Sequence, residues 1–152
     1  MPKAQAQKFI EEYYNDFFGI KNWQEKIKSE GKTFGYIKTL TGRRRWVLDL
    51  ASENQKYRSM AERISVNFPI QGLAADIIKL AMIKINKKLE EEKMADKIKM
   101  ILQIHDELIF EVEENFIAPA EKILKEEMEK AFPLGIALKA ESGFGPNLAE
   151  TD

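Results

Sequence analysis

The apolar residues Phe9, Ile10, Tyr13, Tyr14, Phe17 and Phe18 recur at helical spacing, and Gly19 is placed to end the helix they predict. Ile20, Trp23 and Ile27 predict a second, shorter helix closed by Gly31. The period then changes. Phe34 to Thr41 and Trp46 to Leu50 are rich in β-branched and aromatic residues, with Gly42 and an arginine run between them, which predicts a hairpin or a pair of extended segments. Asn54 to Val66 returns to helical spacing. Pro69 lacks an N–H and pushes Phe68 out of helical geometry, so one helix is expected to stop there and another to begin with Pro69 in its first turn. That next helix, from Ile70 to about Leu89, has few polar positions in its first half and is expected to be mostly buried and roughly 30 Å long at 1.5 Å per residue.

From Ile98 to Val112 every even position is apolar except Asp106. The stretch is too long for a common strand, so it divides at His105-Asp106 into two strands and a tight turn. Phe116 to Phe132 is helical in period, and Leu134 to Ser142 alternates weakly as a last strand. This order of helices and hairpins reads as α+β with an antiparallel sheet.

A length of 152 residues is that of one domain, and a 44% apolar share with 10% aromatics excludes intrinsic disorder. The absence of cysteine excludes disulfide frameworks, thiolate zinc sites and thiol nucleophiles, and fits a reducing compartment. No uninterrupted apolar run approaches the ~18 residues needed to cross a bilayer, and Met1 to Phe18 has no charged stretch leading into an apolar one. The expectation is a cytoplasmic protein with no membrane partner. High Lys and Glu content without cysteine is a compositional habit of thermophiles.

Charge adds an asymmetry that the total of −1 conceals. Lys26 to Arg45 holds seven basic residues and one acidic, whereas Asp106 to Glu129 holds nine acidic and two basic. One region suits phosphates and the other cations; two solvated faces would give the same pattern.

Asp106 and Glu107 are the side-chain type that binds divalent metal for phosphoryl transfer. Asp106 is the only charged residue on its alternating face, so its carboxylate costs free energy there unless a metal or hydrogen bonds compensate. A solvated hairpin turn is the competing explanation. His105 is the only histidine, which excludes His-rich zinc sites; beside Asp106 it suits a phosphate partner or a hydrogen-bonded structural role. Arg63, Asn67 and Gln71, at i, i+4 and i+8, share a face if the helix is continuous, and they are the residue types that read nucleic-acid grooves. A helix junction at Pro69 with Asn67 as a cap is the alternative. Arg43, Arg44 and Arg45 follow Gly42 in an expected turn, fit for bidentate phosphate contacts or for pairing with the acidic C-terminal third.

Taken together, Gly35-Tyr36-Ile37 through Thr39-Leu40-Thr41-Gly42-Arg43-Arg44-Arg45, Ala61-Glu62-Arg63, Asn67-Phe68-Pro69-Ile70-Gln71-Gly72 with Ala74-Ala75-Asp76, and Gln103-Ile104-His105-Asp106-Glu107 resemble the C-terminal part of family A DNA polymerases. Order and spacing match over nearly the whole chain. The resemblance implies a C-terminal part of a polymerase palm, with an antiparallel sheet and a catalytic β-hairpin packed with long helices. It implies Asp106 as a ligand of catalytic Mg²⁺ and Glu107 as a supporting acidic neighbour. His105 would lie beside the primer terminus, and Arg63, Asn67 and Gln71 would contact the terminal base pair and template. Minor-groove acceptors are nearly the same for every correct pair, so such contacts check geometry without selecting sequence. Arg43, Arg44 and Arg45 would lie near the nucleic-acid backbone. Where the family has a tryptophan after Gly-x-x, this chain has Gly145-Pro146-Asn147-Leu148, a difference of packing more than of chemistry.

The family also needs a second palm aspartate, followed by an Ile-Glu-Leu-Arg-like stretch, and a fingers helix that binds the incoming nucleotide. Neither occurs in this sequence. The expected organisation is one C-terminal polymerase fragment over 1–152, with a helical segment at 1–33, a hairpin or extended pair at 34–50, paired helices at 54–92, and the palm hairpin, a helix and the last strand at 98–143. Two-metal catalysis requires both aspartates, so the chain alone is expected to be inactive. A naturally split polymerase, a cleavage product and an engineered fragment all give such a sequence, and Met1-Pro2 is compatible with a natural or an engineered start. The reading favoured is a non-covalent two-chain enzyme with a large apolar interface, its partners being primer-template DNA, deoxynucleoside triphosphates and an N-terminal half carrying the other aspartate and the fingers helix. The alternative is a non-catalytic DNA-binding or interaction module derived from a polymerase.

Overall fold

A computed structural model describes residues 2–151; Met1, on which the chain-start expectation rests, lies outside the described residues, as does Asp152. The chain forms two compact units, 1–73 and 74–152. Among the described residues, four α-helices and two small antiparallel sheets make the fold α+β.

The first unit opens with helix α1 (Lys3–Asp16) and helix α2 (Phe18–Phe34). Gly19 does not terminate α1, and Gly31 does not terminate α2. The first helix ends at Phe17, whose N–H still reaches the Tyr13 carbonyl at 2.9 Å. The second runs on to Gly35, which adopts the left-handed conformation at φ 75° that a side chain resists. Gly31 lies inside α2 for a packing reason: a Cβ there would approach Leu50 Cδ1 to 2.6 Å. The Tyr14 hydroxyl donates to Gln24 Oε1 at 3.0 Å and ties the two helices together.

Strands β1 (Tyr36–Lys38) and β2 (Arg44–Trp46) pair antiparallel with Ile37 opposite Arg45. The turn between them closes at Arg43, the first of the arginine run. The Thr39 N–H bonds the Arg43 carbonyl and the Gly42 N–H bonds the Thr39 carbonyl, so Arg44 and Arg45 are strand residues and not turn residues. A 3-10 turn over Leu48–Ala51 then leads into helix α3 (Gln55–Glu91). Ile37, Val47, Leu50 and Ala61 form the buried core of this unit, with Ile27, Ile64 and Phe68 packed against it.

Helix α3 corrects the expected pair of helices: it is continuous, with Pro69 inside it. Proline removes the bond its N–H would give to the Ser65 carbonyl. Packing holds the helix across that gap, since Ile64 and Phe68 precede Pro69 in the core and Gly72 follows it, so close to Thr39 that a Cβ would lie 2.7 Å from Thr39 Cγ2. The expectation of a mostly buried helix is also corrected, because Ile70 and Ile83 are more than half exposed. By length and composition α3 could cross a membrane, its best 18-residue window having a mean hydropathy of 1.3, although core helices pass the same test.

In the second unit, Lys93 takes the left-handed conformation just past α3, and the Met94 N–H returns to the Leu89 carbonyl at 2.8 Å to cap the helix. Strands β3 (Ile98–Ile104) and β4 (Glu107–Val112) form the expected hairpin, with a bulge between Met100 and Leu102. Ile85, Leu89, Ile98 and Ala120 make the core, the last from helix α4 (Ile117–Glu129). No strand forms over 134–142. That segment is held by single contacts to α4 instead: the Ser142 hydroxyl donates to Glu121 Oε1 at 2.7 Å and the Ala140 N–H to Glu129 Oε1 at 3.2 Å.

Leu50→Ala should lower the unfolding free energy in urea by ~2–5 kcal/mol, the cost of a cavity in a closed core, whereas Phe9→Ala on an exposed helix face should stay within about 0.5 kcal/mol. The Ser142 hydroxyl and then Lys125 hold the Glu121 carboxyl below its ordinary range. A depressed carboxylate contributes its stabilisation above its ordinary range and loses it as pH falls through the lowered value. Amide protection over residues 140–142, taken relative to the intrinsic exchange rate at each pH, should therefore fall selectively on acidification, and Glu121→Gln should lower it already at neutral pH.

Candidate active site and nucleic-acid interface

Two sets of predicted site residues emerge, one in each unit. The first set is organised by α3. Because the helix continues through Pro69, Arg63, Asn67 and Gln71 do fall on one face, and all three are exposed. Asn67 is therefore a mid-helix residue with no helix start to cap. The row lines an open cleft of about 380 Å³ together with Arg45, Met60, Ile64 and Phe68. Met60, Ile64 and Phe68 repeat the same i, i+4, i+8 spacing three positions earlier, and give the polar row an apolar flank. They were the residues the sequence reading missed; the shared spacing signals them once the helix is taken as unbroken.

The arginine run is divided by the alternation of a strand. The Arg45 guanidinium reaches the cleft and lies 5.8 Å from the centre of the Phe68 ring. Arg44 faces the other way, 4.7 Å over the Tyr36 ring, and is paired across the ladder with Lys38. Two cations directly opposed on a strand pair destabilise it unless an anion is near. Arg43 turns towards α3, its Nη2 donating to the Gly72 carbonyl at 2.6 Å.

The second set sits at the tip of the β3–β4 hairpin. Ile104 and Glu107 are the last ladder pair, leaving His105 and Asp106 as a two-residue turn. His105 has φ 52°, the positive φ that a two-residue hairpin turn demands of a central position. The Gln103 side-chain amide donates to the His105 carbonyl at 2.6 Å and steadies the turn. His105, Asp106 and Glu107 are all exposed, so Asp106 does not bear the burial cost expected from its alternating face: the turn lifts it out of that face. Carboxylate oxygens of this kind are the hard donors that Mg²⁺ takes. Among the described residues no group of three or more metal-capable side chains forms, so a full coordination set is not present within them.

The fold is similar to that of a solved polymerase domain. The POL domain of Pol1 from M. smegmatis, in complex with DNA primer-template and dNTP, is similar to this chain with a TM-score of 0.84 and 36% identity, over 91% of this chain and 24% of that one. Residues 1–150 match the model of DNA polymerase family A, and the chain belongs to that family. It is 42% identical over 146 residues to the thermostable DNA polymerase I of Thermus filiformis, covering 96% of this chain and 17% of the relative. With DNA polymerase I of Bacillus subtilis the identity is 44% over 145 residues, covering 95% of this chain and 16% of the relative. The chain thus spans about a sixth of the length of these curated relatives.

Gln103→Ala should leave stability within ~1.5 kcal/mol, the worth of one hydrogen bond, yet increase backbone motion at His105 and Asp106. Backbone ¹⁵N relaxation at these two positions, compared with Ile98 in the core, measures it.

Proposed function

We infer that this chain supplies the C-terminal part of a DNA-directed DNA polymerase that adds deoxynucleotides to a primer 3′ end in the cytoplasm. The observation that carries the reading is the exposed His105-Asp106-Glu107 turn in a chain of family A. In this reading Asp106 holds catalytic Mg²⁺, with Glu107 beside it in support. When bound, Mg²⁺ supplies charge stabilisation of the transferring phosphoryl group and open positions for substrate oxygens. His105 sits by the primer terminus and could donate to its phosphate.

Arg63, Asn67 and Gln71 donate to base-edge and sugar acceptors of the terminal pair, and the cleft they line gives those acceptors a concave seat. Arg45 meets the adjacent phosphates from the rim of the cleft, and Arg44 with Lys38 meets the backbone from the other face of the strand pair. The opposed cations of Lys38 and Arg44 support this, since a phosphate relieves their repulsion. The second palm aspartate and the fingers helix come from a further polypeptide segment, without which residues 1–152 do not turn over. Large exposed apolar side chains on α1, on α2 and at their junction, among them Phe9, Phe18 and Phe17, offer that segment a surface to cover. Relatives from Thermus agree with a thermophilic source.

Primer extension with Mg²⁺ and deoxynucleotides tests the reading, comparing the chain alone with the chain plus a polypeptide that supplies the missing aspartate and fingers helix. Activity is expected only in the mixture. Asp106→Asn should reduce it by at least about a thousandfold while leaving duplex affinity within about threefold. Turnover by Asp106→Asn at the unsubstituted rate would leave the chain as a DNA-binding module without a catalytic role.

A further inference from the structure

The arginine run has charge for three phosphate contacts, yet Arg43 is hydrogen-bonded to the backbone of α3. Its Nη2 donates to the Gly72 carbonyl at 2.6 Å, and its backbone N–H donates to Thr39 Oγ1 at 3.2 Å. Its guanidinium carbon lies 5.6 Å from the centre of the Phe68 ring. Thr39 is 2% exposed, and its hydroxyl is 2.7 Å from that of Thr41. A Cβ at position 72 would come within 2.7 Å of Thr39 Cγ2 and 3.2 Å of Arg43 Nη2, so the guanidinium occupies a slot that only glycine leaves open. The carbonyl it grips adjoins Gln71, and the ring it covers adjoins Asn67. Between them lies Pro69, where the helix lacks one hydrogen bond of its own.

We propose that Arg43 is a positioning residue. Its brace between the Thr39–Arg43 turn and Gly72 keeps Asn67 and Gln71 in register with Arg63 across Pro69, so that the row meets a terminal base pair as one rigid unit. This rests on the nucleic-acid reading of that row. Lysine cannot replace the arginine here, because a flexible ammonium does not present a fixed donor to the carbonyl in the way a planar guanidinium does. For a phosphate contact, by contrast, lysine would serve.

The test is fluorescence anisotropy of the chain with a hairpin duplex bearing a recessed 3′ end, matched or mismatched at its last pair, over a series of salt concentrations. For Arg43→Lys we expect an unchanged dependence of log affinity on log salt, with the preference for the matched end falling on the order of fivefold, the low end of what a lost base-edge contact costs. Arg45→Ala should instead lower the salt slope by about 0.9, the mark of one lost phosphate contact. Urea unfolding of Arg43→Lys establishes that the variant is folded, and Arg43→Ala is the harsher comparison. The inference is overturned if Arg43→Lys keeps the full preference, or if Arg43→Ala loses slope as Arg45→Ala does. If the unsubstituted chain itself shows no preference for the matched end, the reading of the row fails, a result separate from failure of the brace alone.

Discussion

The site in the first unit depends on a close approach between a turn and a helix. Residue 72 has no side chain, and the Thr39–Arg43 turn fills the space with the Thr39 methyl and the Arg43 guanidinium. Proline within a helix costs ~3 kcal/mol, more than one hydrogen bond returns, so α3 is continuous through Pro69 only because contacts on both sides of it make up the difference. Ile64 and Phe68 supply them on one side and the Gly72 contact on the other. Without that continuity Arg63, Asn67 and Gln71 would not share a face, and the cleft would have no polar wall.

The acidic turn rests on a more local constraint. A two-residue connection between antiparallel strands needs positive φ, and His105 provides it with help from the Gln103 amide. The core of that unit, where Ile98 meets Ile85 and Ala120, lies at the other end of the hairpin. The tip is left exposed, with Ile101 and Leu102 near it also open. The basic face follows the same economy: strand alternation directs Arg44 and Arg45 to opposite sides of one strand pair.

Features set by neighbours in sequence were legible from it. Alternation from Ile98 to Val112, broken at His105-Asp106, located the hairpin and its turn, because the period of a strand is a property of the backbone alone. The helical period of α4 was equally clear. Glycine and proline misled in three places. Gly19 and Gly31 lie within α2, and Gly31 is there because Leu50 needs its space. Pro69 marked a helix end that tertiary contacts overrode. The weak alternation at 134–142 lacked a partner strand, and its backbone stays irregular with contacts to Glu121 and Glu129.

By itself, then, the sequence determined the class of fold, the family and the chemical types at the site, since motif spacing and residue identity are written in one dimension. Tertiary structure alone decided which of those residues act together. It joined the Arg63 row into a single face with an apolar flank, and it separated three adjacent arginines into a brace against Gly72, a wall of the cleft and an outward cation. The physical reason is that these outcomes depend on which groups approach across the chain, where a missing Cβ at residue 72 counts for more than the local preference of a proline three positions earlier.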